Sequence, residues 1–588
     1  MGIYLNQVGY ERLGEKRGVI PFACDHFQIV DEAGKICYEG ETGNFGFDKA
    51  SGDQVTVADF SDFQLPGVYF LTAKNAEGEE ICSSRFEIGD QVYEPLMKDL
   101  MRAYYYLRCG MELEPKYAGK FIHKACHVGT VLRWEDVDGE DIGKSFGEGG
   151  KYGTASACGG WHDAGDYGRY ITAGACALAH LLYAYRMYPG VFDQTSWNIP
   201  ESGNGVPDLL NECRYELEWF LKMQREDGGV WHKLTTAGHA AFVMPEDDLG
   251  QLYFLPVSSM ATADHAAVCA LAAGIYRKYD ADFAERLEKA AKKSYAWLKA
   301  NPEFVGFRNP PGCGTGEYGE WGDDSNRFWA AAELYALTGE EGYLNDMKKT
   351  PAKPFPRMAL GYGEVGGFGV LAYLLADGEK DTELTEAFRE AIISEAAQRV
   401  RVSEESGYGV AMMDWEYGWG SNMGVMQRGM LFAIADYFGL EKEVQERAKT
   451  AQIPQRRFFW PGETQEPYVQ GPREVRGWSM RDHAAAQLDY LLGCNALGIS
   501  YVTGNGEKAY NYPHLRPAHA DGIEECMPGM VSGGPNRRPA DAEGREGIPE
   551  GTPAMKCYLD RYECYSLNEI TIYWNSPAVF TVAYLLNG

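Results

Sequence analysis

The chain has 588 residues, 45% hydrophobic and 24% charged, an ordinary balance for a folded protein and enough length for more than one unit with a substantial core. Lys and Arg total 55 against 85 Asp and Glu, a formal charge of −30. That sign excludes nucleic acid and anionic membrane surfaces as partners, since both are held by basic faces, and it leaves neutral or cationic ligands.

Residues 1–90 read as β. Val68–Ala73 is a predicted strand after the turn Pro66-Gly67, and Asn75-Ala76-Glu77-Gly78 is a predicted hairpin turn into a strand over Ile81–Ile88. Short strands punctuated every 8–12 residues predict a small β-sandwich. From residue 91 the pattern becomes helical. A helix starts near Pro95, with proline in the first turn, and helical periods recur at about 169–187, 206–224, 260–279, 282–300, 327–338, 363–376, 383–401, 423–438, 480–493 and 576–586. Those at 169–187 and 363–376 are apolar on most faces, which predicts helices packed on both sides. About a dozen helices joined by glycine- and aromatic-rich loops predict a helical barrel over residues 91–588.

No apolar run reaches the roughly 18 residues of a membrane span. Met1–Gln7 carries no charged n-region or apolar h-region. The expected location is cytoplasmic as the chain reads, or secreted if a leader has been trimmed. The 14 cysteines are scattered, without the density of a disulfide scaffold, so reduced thiols are expected for most. Aromatic residues make up 13%, including 38 Tyr and 13 Trp, a composition that fits carbohydrate recognition.

The chemistry concentrates in three segments. Gly159-Gly160-Trp161-His162-Asp163-Ala164-Gly165-Asp166-Tyr167 places two carboxylates three residues apart among glycines and aromatic rings. Such a pair suits water activation; the structural alternative is an Asp-Gly turn with Asp166 as a helix cap. Tyr512-Pro513-His514-Leu515-Arg516 offers groups that grip sugar hydroxyls. In Asn568-Glu569-Ile570-Thr571-Ile572-Tyr573-Trp574-Asn575-Ser576, Glu569 lies among aromatic residues that disfavour its charge, as a general acid requires. Tyr417 and Trp419, in Trp415-Glu416-Tyr417-Gly418-Trp419, are either sugar platforms or core residues.

Taken together, these segments resemble glycoside hydrolase family nine, the inverting cellulases. Ser500–Arg516 fits the family's His-x-Arg signature, Tyr558–Ser576 its second signature, and Asp163–Asp166 its Asp-Ala-Gly-Asp motif. The resemblance covers the whole chain, and Ile3–Tyr10 looks like the opening strand of the immunoglobulin-like module that some members carry. It implies an (α/α)6 barrel behind an immunoglobulin-like sandwich and hydrolysis of β-1,4-glucosidic bonds. By the same resemblance Asp166 is the base, Asp163 helps hold the water, Glu569 is the acid, and His514 and Arg516 bind the sugar.

Two thiols and two imidazoles suit tetrahedral zinc, and Cys109, Cys126, His127 and His162 fall where the subgroup carries a structural zinc; their spacing alone leaves free thiols open. Glu201, Asn204 and Asp208 offer hard oxygen ligands for calcium, against the alternative of a loop and helix cap. A second family calcium site is put in doubt by Ser325-Asn326, which stand where an Asp-Glu pair is usual. The acidic, glycine-rich span between His127 and His162 is long for the family; it is either a disordered surface insertion or a cap on the cleft. A cap would favour exo action on imported cello-oligosaccharides, as an exo-β-glucosidase or an exo-glucosaminidase. A non-catalytic carbohydrate-binding protein is the competing class, disfavoured by the intact carboxyl set. No protein partner is expected beyond a monomer or weak oligomer.

Overall fold

The computed structural model describes residues 2–193, 195–349, 355–454 and 476–588. The N-terminal unit is built from strands β1 (Gly9–Glu11), β2 (Arg17–Ile20), β3 (His26–Asp31), β4 (Ile36–Asp48), β5 (Asp53–Asp59), β6 (Gly67–Lys74), β7 (Glu80–Cys82) and β8 (Phe86–Gly89). They follow the order β1-β8-β6-β3-β4-β5-β2, with β7 beside β6. The long strand β4 turns the corner of the sandwich. Its first half pairs with β3 and its second with β5, across a register shift between Asn44 and Gly46. Alternate residues such as Phe27, Ile29, Tyr69, Leu71, Phe86 and Ile88 point inward to one apolar core.

Two strand expectations need correcting. Ile81–Ile88 is two short strands, broken at Ser83–Arg85, where the Ser83 hydroxyl accepts from the Leu71 amide and donates to the Ser84 carbonyl. The opening Ile3–Tyr10 is regular only at its end, because its middle docks on the helical unit. Asn6 Nδ2 donates to Asp489 at 2.8 Å and Gln7 Nε2 to the Gly498 carbonyl at 2.8 Å.

Helices follow: α1 (Glu94–Tyr106), α2 (Ile171–Met187), α3 (Asp208–Lys222), α4 (Ser259–Tyr276), α5 (Ala281–Ala300), α6 (Asp324–Thr338), α7 (Glu341–Lys348), α8 (Gly366–Leu375), α9 (Thr382–Glu404), α10 (Ser421–Tyr437), α11 (Glu441–Ala448), α12 (Met480–Leu491) and α13 (Ile572–Leu586), besides shorter turns. Helix α13 packs on α2, α2 on α4, α4 on α6 and α6 on α8, while α10 closes on α13 from the other side. Helices α2, α4, α8 and α13 are apolar nearly all round and buried along almost their whole length, so they belong to the inner ring. Amphipathic helices stand outside. Helix α5 starts at the Asp280 cap, which accepts from the Phe283 amide, and turns Glu285–Lys289 and Glu288–Lys292 pairs to solvent. The result is an (α/α)6 barrel behind an immunoglobulin-like sandwich. No helix among the described residues is long and apolar enough to cross a membrane.

A small sheet of β9 (Val131–Arg133), β10 (Arg169–Tyr170), β11 (Lys233–Thr235) and β12 (Leu252–Phe254) sits where the barrel loops gather, in the order β10-β11-β12-β9. The span between His127 and His162 folds against β12. Gln251 bridges the Thr130 carbonyl and the Phe146 amide, the Tyr253 hydroxyl accepts from the Gly143 amide, and Trp134 packs on Tyr253.

Candidate active site

The turn carrying Asp163 and Asp166 is fixed from below. The Trp161 amide and indole donate to Glu216 (2.6 Å) and Glu212 (2.8 Å) of α3. The Asp163 amide donates to the Gly168 carbonyl and closes the turn. Its far side presses against the segment bearing His514. A Cβ on Gly165 would sit 1.9 Å from the His514 carbonyl oxygen, so only glycine permits that approach. The Arg516 amide and Nη1 both donate to the Gly165 carbonyl. A bridge pairs His514 with Glu569, with the His514 amide donating to the Asn568 carbonyl. Backbone contacts therefore bring the three distant segments to one place.

They meet at a cleft of about 670 Å³. Asp166, His514, Arg516 and Glu569 line it together with Tyr318 and Trp419. Asp163 lies just beneath, 1% exposed. Tyr318 donates to its Oδ2 at 2.5 Å, and its Oδ1 has no protein partner. Tyr318 itself has a left-handed backbone (φ 50°), a costly conformation for a tyrosine and one that strained functional loops retain.

The carboxyls are tuned in opposite directions. Burial alone would raise Asp166, but the His239 hydrogen bond (Nδ1 to Oδ2, 3.0 Å), the charges of His239 and Arg516, and the Gly168 amide together hold it below the ordinary carboxylate range. Glu569 is pushed well above its usual value by burial, then by the negative charges of Asp166 and Asp163, with only partial relief from Arg516. Burial and the Asp166 charge also raise Asp163 against the opposing Tyr318 hydrogen bond. One carboxylate thus stays ionised while a neighbouring carboxyl keeps its proton.

His514 Nδ1–H donates to the Tyr562 carbonyl at 2.5 Å, and burial lowers its pKa. The neutral ring then presents Nε2 as an acceptor. Arg516 spends Nε on the Ala240 carbonyl and Nη1 on Gly165, so it braces the site as well as charging it. Trp419 is 51% exposed and flanks the cleft beside Tyr565. Tyr417, by contrast, is 1% exposed and packs near Tyr490; it is a core residue, and its expectation as a platform is corrected.

Cys109, Cys126, His127 and His162 form a buried cluster whose ligand atoms all lie within 4.8 Å of one another. His162 Nε2 is 3.4 Å from His127 Nδ1 and 3.9 Å from Cys126 Sγ. Bond lengths of about 2.0–2.1 Å for Zn–N and 2.3 Å for Zn–S put the edges of a tetrahedral site at about 3.3–3.8 Å, so this set fits a metal ion. The cluster shares backbone with the turn that carries Asp163 and Asp166, since the Cys109 amide donates to the Gly160 carbonyl and the His162 amide to the Leu107 carbonyl.

The calcium expectation for Glu201, Asn204 and Asp208 is corrected. Glu201 gives both oxygens to Arg108 at 3.0 Å, which puts a guanidinium where the cation would have to sit. Arg108 is fully buried and needs both Glu201 and Glu212 to offset its desolvation. Asn204 Oδ1 accepts from the Val206 amide and Asn211, and Asp208 Oδ2 from the Trp197 amide and the Ser202 hydroxyl. The expected cap is corrected too. None of the cleft-lining residues comes from the span between His127 and His162; that span is committed to β12. The wall is built instead by the loop of residues 236–251, through His239. Neither His239 nor Tyr318 stood out in the sequence, where each is one polar ring in a loop.

The sequence model described as Glycosyl hydrolase family 9 matches residues 93–582, and that of the cellulase N-terminal ig-like domain matches residues 1–78. A cellodextrinase of Butyrivibrio fibrisolvens is 41% identical over 603 residues, covering 99% of this chain and 99% of that protein. A single mutant of a thermostable endoglucanase from Alicyclobacillus acidocaldarius superposes with a TM-score of 0.85 at 31% identity, covering 100% of both chains. The Zn-binding triple mutant of endoglucanase J30 superposes with a TM-score of 0.82 at 29% identity over 98% of this chain and 99% of that one.

Proposed function

Because the chain belongs to glycosyl hydrolase family 9 and is a β-1,4-glucan-cleaving enzyme, we propose that it inverts the anomeric centre, with Asp166 as base and Glu569 as acid. The observation that carries this reading is the asymmetry across one cleft. Asp166 is paired with His239 and charged, while Glu569 faces two aspartates and stays protonated. Asp163, held by Tyr318 through Oδ2, steadies the water through its unpartnered Oδ1. Asp166 takes the proton of that water as it attacks the anomeric carbon. Glu569 gives its proton to the departing glycosidic oxygen. His514 Nε2 accepts from a sugar hydroxyl, and Trp419 offers an apolar face to a sugar ring.

The preferred substrates are soluble cello-oligosaccharides. The cellodextrinase relative supports this choice, as does a cleft of the size that encloses a small ligand. The buried Cys109, Cys126, His127 and His162 set holds structural zinc, a reading supported by its donor chemistry and by the Zn-binding relative. All four protein ligands close the coordination sphere, so the ion stabilises the turn and takes no part in the hydrolytic step.

Glu569→Gln tests the acid. General acid catalysis contributes about 10²–10⁴-fold, so turnover of cellohexaose should fall by that factor. A 2,4-dinitrophenyl cellobioside, whose leaving group needs no proton, should lose far less. Equal losses on both substrates would remove Glu569 from the acid role.

A further inference from the structure

The loop of residues 236–251 joins β11 to β12, and it makes a series of contacts that run from the cleft to the metal cluster. At the cleft end, His239 donates to Asp166 (3.0 Å) and the Ala240 carbonyl accepts from Arg516 Nε (2.9 Å). Phe242 meets the His514 ring edge to face with centroids 5.2 Å apart. Midway, the Val243 carbonyl accepts from the Tyr167 hydroxyl (2.6 Å), and the Tyr167 ring packs on both His127 and His162. At the far end, Asp248 Oδ2 lies 3.2 Å from His127 Nε2, with its side chain only 10% exposed. The hairpin base is locked by the pairing of Thr235 with Tyr253 and by Gln251.

The Asp248 contact has a chemical consequence. A carboxylate accepts, so His127 Nε2 carries the hydrogen toward Asp248 and Nδ1 is the nitrogen left to ligate an ion. Nδ1 is the atom that faces His162 Nε2 across the cluster at 3.4 Å. A carboxylate on the outer nitrogen of a ligating histidine fixes its tautomer and ring orientation, and its loss typically costs about 10–100-fold in metal affinity. His127 also holds a left-handed backbone (φ 50°), which an external partner helps to retain.

We propose that Asp248 is a positioning residue with two linked effects: it orients His127 for the ion, and through the 236–251 loop it ties occupancy of the metal cluster to the His239 hydrogen bond on Asp166. This rests on the zinc reading given above. The loop is seated on the turn 162–167 at its cleft end and its middle, through Asp166 and Tyr167, and on His127 at its far end, through Asp248. Loss of the ion frees the His127 ring to turn, so the Asp248 contact that anchors the far end of the stretch is no longer held in place by the cluster.

The test uses full-length wild type, Asp248→Asn and Asp248→Glu. Wild type should carry about one zinc per chain; a chain that neither carries nor takes up zinc overturns the metal reading and this inference with it. Zinc loss to a colorimetric chelator should be about 10–100-fold faster in Asp248→Asn and near wild type in Asp248→Glu, which keeps the acceptor. Hydrogen exchange over 236–245 should accelerate in Asp248→Asn and in chelator-stripped wild type. In both, the acid limb of the kcat/KM profile should move to higher pH. If wild type holds zinc and Asp248→Asn loses it at the wild-type rate, Asp248 does not orient His127, and the zinc reading stands alone. If zinc loss quickens but exchange over 236–245 and the acid limb stay put, the link to Asp166 is wrong.

Discussion

Replacing Tyr318 with Phe isolates one hydrogen bond in the proposed water site. The Tyr318 hydroxyl is the donor to Asp163 Oδ2, at 2.5 Å, and Oδ1 already lacks a protein partner. The variant leaves both oxygens of a carboxyl that is 1% exposed without a protein donor. An unsatisfied buried acceptor costs about 1–3 kcal/mol, which is roughly 5- to 150-fold in rate if it is felt at the transition state. The ring stays, and with it the packing on Tyr170 and Tyr573 and the wall that Tyr318 gives the cleft. The loss should therefore fall on kcat, with KM within about a factor of two. Steady-state kinetics on cellotetraose, with circular dichroism to check folding, gives the answer. A kcat loss below twofold, or a change confined to KM, would refute the role given to Asp163 and its tyrosine.

The pH profile of kcat/KM follows from the two carboxyls. Asp166 must be ionised, so activity is lost as pH falls through its folded pKa, which His239 and Arg516 depress; the acid limb should lie below the ordinary carboxylate range. Glu569 must be protonated, so activity is lost as pH rises through its elevated pKa. His239→Ala should raise the acid limb and leave the alkaline limb in place; movement of the alkaline limb alone would reverse the assignments. Gly165→Ala drives a Cβ to 1.9 Å from the His514 carbonyl. Overpacking of this kind costs about 1–3 kcal/mol, and the contact joins the base-bearing turn to the acid. A folded protein with at least tenfold lower activity is expected, and a wild-type rate would show that the two segments tolerate separation.

The carboxyls of the proposed site were legible as a group because short motifs carry them with their glycines and aromatic neighbours. The inner helices were legible because sequences such as Ile171–Met187 are apolar on every face and can only be buried. What stayed hidden depends on contacts across long sequence distances. Tyr318 reaches Asp163 over 155 residues and His239 reaches Asp166 over 73; no local pattern distinguishes such a ring from any other loop residue. Tyr417 and Trp419 stand two apart in one glycine-rich stretch, yet one enters the core and the other the cleft, a choice made by where the loop meets α12. Glu201 looked like a cation ligand because the buried guanidinium of Arg108, 93 residues away, cannot be seen from the loop itself. The acidic span after His127 looked like a cap because its own apolar residues, Leu132 and Trp134 among them, gave no hint that Tyr253 would receive them.

The central claim is that Asp166 directs a water onto the sugar while Glu569 protonates the leaving oxygen on the opposite side, in one displacement. Proton NMR of cellohexaose hydrolysis, read before mutarotation equalises the anomers, tests it directly. The account predicts that the new reducing ends appear first as the α-anomer. A first-formed β-anomer would mean retention through a covalent intermediate, and it would contradict the assignment of both carboxyls.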